Sequence, residues 1–91
     1  MSERYTLRIA KTVEKDLLDL PAKHYKQVVS KIFSLQSNPQ PHDSKALKGY
    51  EGGYRADSGE YRILYTIDEV NKLVDIFRVG KRNDDEVYKN L

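Results

Sequence analysis

The spacing of apolar residues changes twice along this chain, and that change constrains the fold more than any other feature. Tyr5, Leu7 and Ile9 alternate with polar residues, which is the period of a half-buried β-strand. Residues 13–35 then repeat their apolar positions every three or four residues, as amphipathic helices do. Residues 54–79 return to a period of two. The order of elements is therefore predicted to be β-α-α-β-β-β.

The helical stretch divides into two helices at Pro21. Val13, Leu17 and Leu20 share one side of the first helix, and Thr12 is a plausible N-cap for it. Pro21 suits the first position of a second helix, because its missing N–H is not needed there. The apolar stripe of this second helix comprises Tyr25, Val28, Val29, Ile32, Phe33 and Leu35. The sequence predicts a helical hairpin that ends before the Asn38–Pro39 pair.

Short turns link the predicted strands of the second half, which favours an antiparallel meander. The last strand should place Leu73, Phe77 and Val79 on one face, and residues 83–88 should form a short C-terminal helix. We predict one domain over residues 1–91. Its class is α+β, two-layered, with a mainly antiparallel four-stranded sheet and the helical hairpin on one face. The predicted second-half elements are a loop over 40–53, strands beginning at 54, 61 and 72, and turn residues at 57–60 and 68–71.

Composition excludes several classes of site. The chain has 91 residues and no cysteine, so it contains no disulfide, thiol nucleophile or thiolate metal site. His24 and His42 lie in different predicted elements at no zinc-binding spacing, and we expect both to be solvated. We expect no metal and no cofactor. No apolar run approaches the roughly 20 residues that span a bilayer, and no signal peptide is evident, so we expect a cytoplasmic protein without membrane contact.

With cysteine and histidine sites excluded, arginine is the residue type in this sequence that best suits a functional site. In the strand over 61–67, Arg62 alternates with Tyr61 and Ile63, so it should project away from the helices. Guanidinium groups bind phosphate oxygens in pairs and stay charged, so a sheet face that gathers them suits phosphate. Ordinary solvent-exposed decoration explains the same pattern equally well. Tyr88 either packs the C-terminal helix onto the rest of the domain, or its hydroxyl enters the cluster of basic residues. The other members of the predicted cluster are Arg55, Arg78, Lys81 and Arg82.

The second half of the sequence contains an ordered set of short motifs: Leu47–Gly49, Tyr54–Arg55, Gly59–Tyr65, Val79–Arg82 and Glu86–Tyr88. This set resembles the RelE branch of the RelE/ParE toxin family of bacterial type II toxin–antitoxin systems. The predicted order of elements also resembles that family, so the similarity covers nearly the whole chain.

The resemblance implies a ribosome-dependent mRNA endonuclease that cuts in the A site by metal-independent attack of a ribose 2′-OH on the adjacent phosphate. It implies that Arg62 stabilises the charge developing on the phosphate. It also implies that Arg82 assists the leaving 5′ oxygen or holds the phosphate, and that Tyr88 orients or deprotonates the 2′-OH or stacks on a base. The implied partners are a RelB-like antitoxin, the ribosome and mRNA, with no DNA contact by the toxin alone. The substrate-binding residues would be Lys48, Arg55, Arg78 and Lys81.

Asp57 departs from the family pattern, because active relatives often carry a basic residue at the corresponding position. A carboxylate there repels RNA phosphate unless it points into the turn or pairs with a neighbouring arginine. Two other functions share the fold: a ParE-like poison of DNA gyrase, and a small RNA-binding module without catalysis. The implied antitoxin would have the helix at Asn83–Tyr88 as a natural target.

Overall fold

The computed structural model describes residues 4–81. The α+β class predicted from the sequence is confirmed, with two helices covering one face of a sheet. The sheet has five strands in the order β1-β5-β4-β3-β2, one more than predicted, because a two-residue strand precedes β3. The predicted C-terminal helix lies outside the described residues. The elements are β1 Thr6–Ile9, α1 Lys11–Leu18, α2 Ala22–Ser34, β2 Lys45–Ala46, β3 Gly53–Ser58, β4 Tyr61–Asp68 and β5 Leu73–Lys81.

The three longest strands form the predicted antiparallel meander, β3–β4–β5. The first strand instead runs parallel to the last described one, with Thr6 opposite Leu73 and Ile9 opposite Ile76. This places β5 inside the sheet, between β1 and β4. Within residues 4–81, neither helix is long and apolar enough to cross a membrane.

The main core lies between the helices and the sheet. Val28, Ile32 and Leu35 of the predicted α2 stripe are buried there, whereas Tyr25 and Phe33 at its margin are exposed. Tyr65 is the largest fully buried side chain, and its hydroxyl donates a 2.6 Å hydrogen bond to the Pro39 carbonyl. The hydrogen bond therefore ties the loop after α2 to the centre of β4.

A β-bulge in β5 changes which side chains face the core. Leu64 pairs with Arg78 and Tyr65 pairs with Ile76, so Phe77 has no partner in the ladder. One extra residue reverses the alternation beyond it. Ile76 and Val79 consequently both reach the main core, while Phe77 packs on the opposite side of the sheet. The predicted shared face for Phe77 and Val79 is therefore wrong.

Helix α1 covers an edge of β5 that β1 does not reach. Beyond Ile76 the strand has no β1 partner, and side chains of α1 bond its peptide groups instead. The Thr12 hydroxyl donates to the Phe77 carbonyl at 3.2 Å, and the Val79 N–H donates to the Asp16 carboxylate at 3.0 Å. Ala10 occupies the N-cap position of α1, so the N-cap prediction for Thr12 is wrong. The Thr12 hydroxyl bonds a carbonyl of β5 and does not cap the first turn of α1.

Candidate functional site

The side of the sheet opposite the two helices, here called the open face, carries a row of cations across three strands. Side chains of directly paired residues point to the same side of a sheet. Lys45 of β2 pairs with Arg55 of β3, and Arg55 pairs with Leu64 of β4. Leu64 packs outside the main core, which identifies the side on which all three lie. Arg62, two residues earlier on β4, shares that side.

Arg62 is held in place by Asp57, its cross-strand neighbour on β3. The Arg62 Nε–H donates to the Asp57 Oδ1 at 2.8 Å, and the two side chains are only 16% and 28% exposed. The sequence predicted a turn at Asp57, but β3 continues to Ser58. Asp57 thus pairs with Arg62, the arginine predicted to bind phosphate, and this contact orients the guanidinium.

Arg62 lies between Asp57 of β3 and Gly80 of β5 in the sheet. Asp57 contributes a carboxylate to the open face beside Arg62, whereas Gly80 contributes no side chain.

Arg78 was predicted to join this cluster, but its guanidinium is drawn to helix α1. Its Nε lies 3.9 Å from the Asp16 Oδ2. The same Nε is buried and has no hydrogen-bond partner among residues 4–81. Together with Asp19, Tyr61 and others, Arg78 lines a cleft of about 330 Å³ between α1 and the end of β5. Arg78 is thus paired with Leu64 in the ladder, but its guanidinium lies at the edge of β5 beside an acid.

The remaining predicted site residues fall in three places. Lys48 is exposed in the turn that follows β2, beside Gly49 with its positive φ of 79°. Lys81 is exposed at the end of β5, where it pairs with Tyr61 and lines the cleft against α1. Arg82 and Tyr88 lie outside the described residues. Of the predicted set, the structure brings Arg55 and Arg62 together on one face.

Two aromatic residues of the open face were not predicted from the sequence to belong to the site. The rings of Tyr50 and Phe77 stack with centroids 5.1 Å apart and planes 12° from parallel. Leu47 and Leu64 pack with Phe77 in the same cluster. Gly53 was the one sign of this aromatic stack in the sequence, because its lack of a side chain makes room for the Tyr50 ring.

The two histidines differ in environment. His42 is exposed, as predicted. His24 is not, because its side chain is 21% exposed and lies against the Tyr61 ring, 5.0 Å between centroids. Its Nε2 is 3.9 Å from the Glu60 carboxylate. Among residues 4–81, no three histidine, aspartate or glutamate side chains converge in a way that would hold a metal ion.

Comparison with known proteins identifies the family. Residues 7–86 match the family described as the ParE toxin of the type II toxin–antitoxin system parDE. The chain is 33% identical to the putative toxin RelE1 of Methanocaldococcus jannaschii over 90 residues, covering 96% of this chain and 98% of that protein. It is 36% identical to toxin RelG of Mycobacterium tuberculosis over 81 residues, covering 88% and 93% respectively.

A solved structure gives the same result. The archaeal RelE–RelB complex of Pyrococcus horikoshii contains a chain that superposes with a TM-score of 0.79 at 30% identity, covering 89% of this chain and 98% of that one. The protein therefore belongs to the RelE/ParE family of type II toxin–antitoxin toxins, and within it the chain is RelE-like.

Proposed function

We propose that this toxin is an endoribonuclease that cleaves mRNA in the ribosomal A site without a metal ion. The observation that carries the proposal is Arg62, a half-buried guanidinium fixed by Asp57 on the open face beside Arg55. A planar guanidinium can bind two phosphate oxygens at once and keeps its charge at any physiological pH. Two neighbouring arginines on a rigid strand pair suit a phosphate group that gains negative charge as it reacts.

The reaction would be an in-line transfer within the RNA strand. The ribose 2′ oxygen forms a bond to phosphorus, the bond from phosphorus to the 5′ oxygen breaks, and a 2′,3′-cyclic phosphate remains. The 2′-OH loses its proton, and the leaving 5′ oxygen gains one. Arg62 would stabilise the charge on the non-bridging oxygens. In this proposal Arg82 would assist the leaving oxygen and Tyr88 would orient or deprotonate the 2′-OH.

Unshifted arginine and tyrosine are poor general acids and bases at neutral pH, because their pKa values lie far above it. Catalysis would then depend on electrostatic stabilisation and on the geometry of the bound RNA. A ribosome that presents the codon in line supplies that geometry. The proposal therefore includes the ribosome and mRNA as partners and the cytoplasm as the place of action. Lys48, Arg55, Arg78 and Lys81 would bind the RNA backbone.

A RelB-like antitoxin is the proposed protein partner. The solved relatives from Pyrococcus horikoshii and Methanococcus jannaschii are complexes of RelE with RelB. An antitoxin of this kind would be expected to wrap the toxin with segments that become ordered on binding.

The test is cleavage of mRNA on programmed ribosomes by purified toxin, with the ends of the products mapped. We expect Arg62→Ala to reduce the cleavage rate at least about hundredfold, as loss of a transition-state charge partner does. Arg8→Ala is the matched control. Arg8 also pairs with a cross-strand aspartate, with its Nε 2.7 Å from Asp75 Oδ1, but it lies on the edge strand β1, which is separated from β4 by β5. We expect that variant to cut at the wild-type rate.

Retention of full activity by Arg62→Ala would refute the assignment of this residue. Intact mRNA with the wild-type protein, together with inhibition of DNA gyrase, would replace the proposal by a ParE-like function. That second function is favoured by one observation, the match of residues 7–86 to the ParE toxin family.

A further inference from the structure

The Tyr50 ring is the outer member of an aromatic stack on the open face. The ring beneath it is Phe77, with planes 12° from parallel. Phe77 in turn packs on Leu47 and Leu64, which are buried. Tyr50 is 37% exposed, so part of its surface remains accessible to a ligand.

The chain holds this ring in a defined position. The Leu47 N–H donates to the Gly53 carbonyl at 2.9 Å, and the Gly53 N–H donates to the Tyr50 carbonyl at 3.0 Å. These bonds close the turn that carries Tyr50. A Cβ at Gly53 would lie 2.7 Å from the Tyr50 Cδ1, so only glycine lets the ring approach the sheet this closely. A preorganised ring loses little entropy when a flat ligand stacks on it.

Cations adjoin the aromatic stack. Leu64, which packs against Phe77, is the direct cross-strand partner of Arg55, and Arg55 is the partner of Lys45. Arg62 lies on the same face of β4, two residues and about 7 Å from Leu64 along the strand. A flat apolar surface next to a row of positive charge complements a single-stranded nucleic acid, whose bases are flat and whose backbone is anionic.

We propose that Tyr50, supported from below by Phe77, is a stacking platform for one nucleobase of the RNA strand whose phosphate is bound by Arg55 and Arg62. This inference rests on the proposed function in one respect, that the ligand is RNA. Stacking recognises a π-surface without reading its hydrogen-bonding edge, so the site accepts any base and favours purines, which have the larger rings. The platform holds a base while the arginines hold the backbone beside it.

The absence of tryptophan from this chain makes a direct test possible. Tyr50→Trp places the sole indole of the protein at the proposed platform. The ligand is a 2′-O-methyl tetra-adenylate, which lacks the attacking hydroxyl and stays intact. We expect saturable quenching of the indole fluorescence by this ligand at low salt. A tetramer of the same sugar–phosphate backbone with abasic positions should bind through its charge and leave the fluorescence unchanged.

Two further substitutions separate stacking from simple packing. Tyr50→Phe keeps a ring, and Tyr50→Leu keeps an apolar side chain that covers the same cluster. We expect the phenylalanine variant to bind the tetra-adenylate like the wild type. The leucine variant should bind it about fivefold to hundredfold more weakly, the range that loss of one stacked base produces. Binding of the abasic tetramer should be the same for all three proteins.

The inference is overturned if the abasic tetramer quenches the indole as well as the tetra-adenylate does, or if Tyr50→Leu binds the tetra-adenylate like the wild type. Thermal unfolding of the leucine variant shows whether it is folded, and the tryptophan probe gives an answer in either case. Cleavage on ribosomes is measured in parallel. Base-dependent quenching by a protein that cuts no mRNA would refute the proposed nuclease and leave the stacking platform standing.

Discussion

Asp57→Asn tests how the pairing of Arg62 sets the strength of the proposed phosphate site. The amide oxygen of asparagine can accept the Arg62 Nε–H that the carboxylate now accepts at 2.8 Å. The substitution therefore keeps the position of the guanidinium and removes one negative charge next to it. We expect RNA to bind more tightly, because a phosphate on Arg62 would no longer be repelled by its neighbour.

The size of this effect follows from Coulomb's law. A phosphate on the far side of the guanidinium would be roughly 7 Å from the Asp57 carboxylate. The repulsion at that distance is about 0.6 kcal/mol at the dielectric constant of water and about 2.4 kcal/mol at an effective value of 20. The Arg62 and Asp57 side chains are only 16% and 28% exposed, so water screens the repulsion in part and its energy lies between these two limits. We expect KM on programmed ribosomes to fall about threefold to fiftyfold at low salt.

The assay is the initial rate of mRNA cleavage as a function of programmed-ribosome concentration, at low and at high ionic strength. At high salt the gain should shrink, because screening weakens the repulsion between partly exposed charges. Asp57→Ala removes the hydrogen-bond acceptor as well as the charge. It should lower kcat, since Arg62 loses the contact that orients it. Asp75→Asn, in the comparable pair with Arg8, is the control for a general change in net charge.

The reasoning fails if Asp57→Asn leaves KM unchanged at low salt, or if Asp75→Asn lowers KM by the same factor. In the first case Asp57 has no electrostatic influence on the ligand. In the second case the effect belongs to the total charge of the protein and not to the site.

Three further predictions concern stability. Burial raises the pKa of the Tyr65 hydroxyl from 10.0 to about 12. The stability that the buried, protonated hydroxyl gives the folded protein is therefore complete below pH 10 and is lost as the pH rises from 10 to 12. Tyr65→Phe should cost about 1 kcal/mol at pH 7, where the hydrogen bond to Pro39 is lost. Relative to wild type it should regain about 1.4 kcal/mol at pH 11 in urea unfolding, and an unchanged difference at both pH values would contradict this. Gly53→Ala should lower the free energy of unfolding by about 1–3 kcal/mol, since its Cβ collides with the Tyr50 ring, and should weaken the near-ultraviolet circular dichroism of the aromatic stack. Asp16→Ala leaves the Val79 amide without its acceptor and should cost about 1–3 kcal/mol, whereas Asp16→Asn, which keeps an acceptor, should cost less; equal losses in the two variants would rule out the hydrogen bond as the cause.

The spacing of apolar residues predicted the architecture, because it marks the face of each helix or strand that becomes buried. The alternation around Arg62 correctly placed it away from the helices, and the stripe of α2 correctly identified Val28 and Ile32 as core. These predictions depend on local spacing alone. They succeed wherever an element has one buried side and keeps its register throughout.

The failures have physical causes that local spacing does not contain. A bulge adds one residue to β5 at Phe77, so the alternation beyond it reverses and Val79 faces the main core while Phe77 stays on the open face. No residue type in β5 marks where this happens. The two residues of β2 are too few to show any period. Thr12 bonds a strand 65 residues away, a partner that only the assembled fold supplies.

The candidate site was predictable in part. Alternation and the hairpin turn placed Arg55 and Arg62 on one face, as found. The pairing of Asp57 with Arg62 needed the observation that β3 continues through Asp57, since a residue in a turn would have had no cross-strand partner. Arg78 could not be placed from the sequence, because its environment depends on Asp16 of a helix that packs from the other end of the chain.

The position of β5 between β1 and β4 also bears on how the protein is made. Residues of β1 and β5 that pair are 67 positions apart, so the first strand has no partner in the sheet until the last described strand has been synthesised. Pairings between such distant segments form slowly, and a nascent chain emerges from its N-terminus. Without β5, β1 has no strand to pair with and α1 has no strand edge to cover, so neither can be attached to β4. The sheet would close in one late step, so assembly of the proposed nuclease waits until β5 has been synthesised.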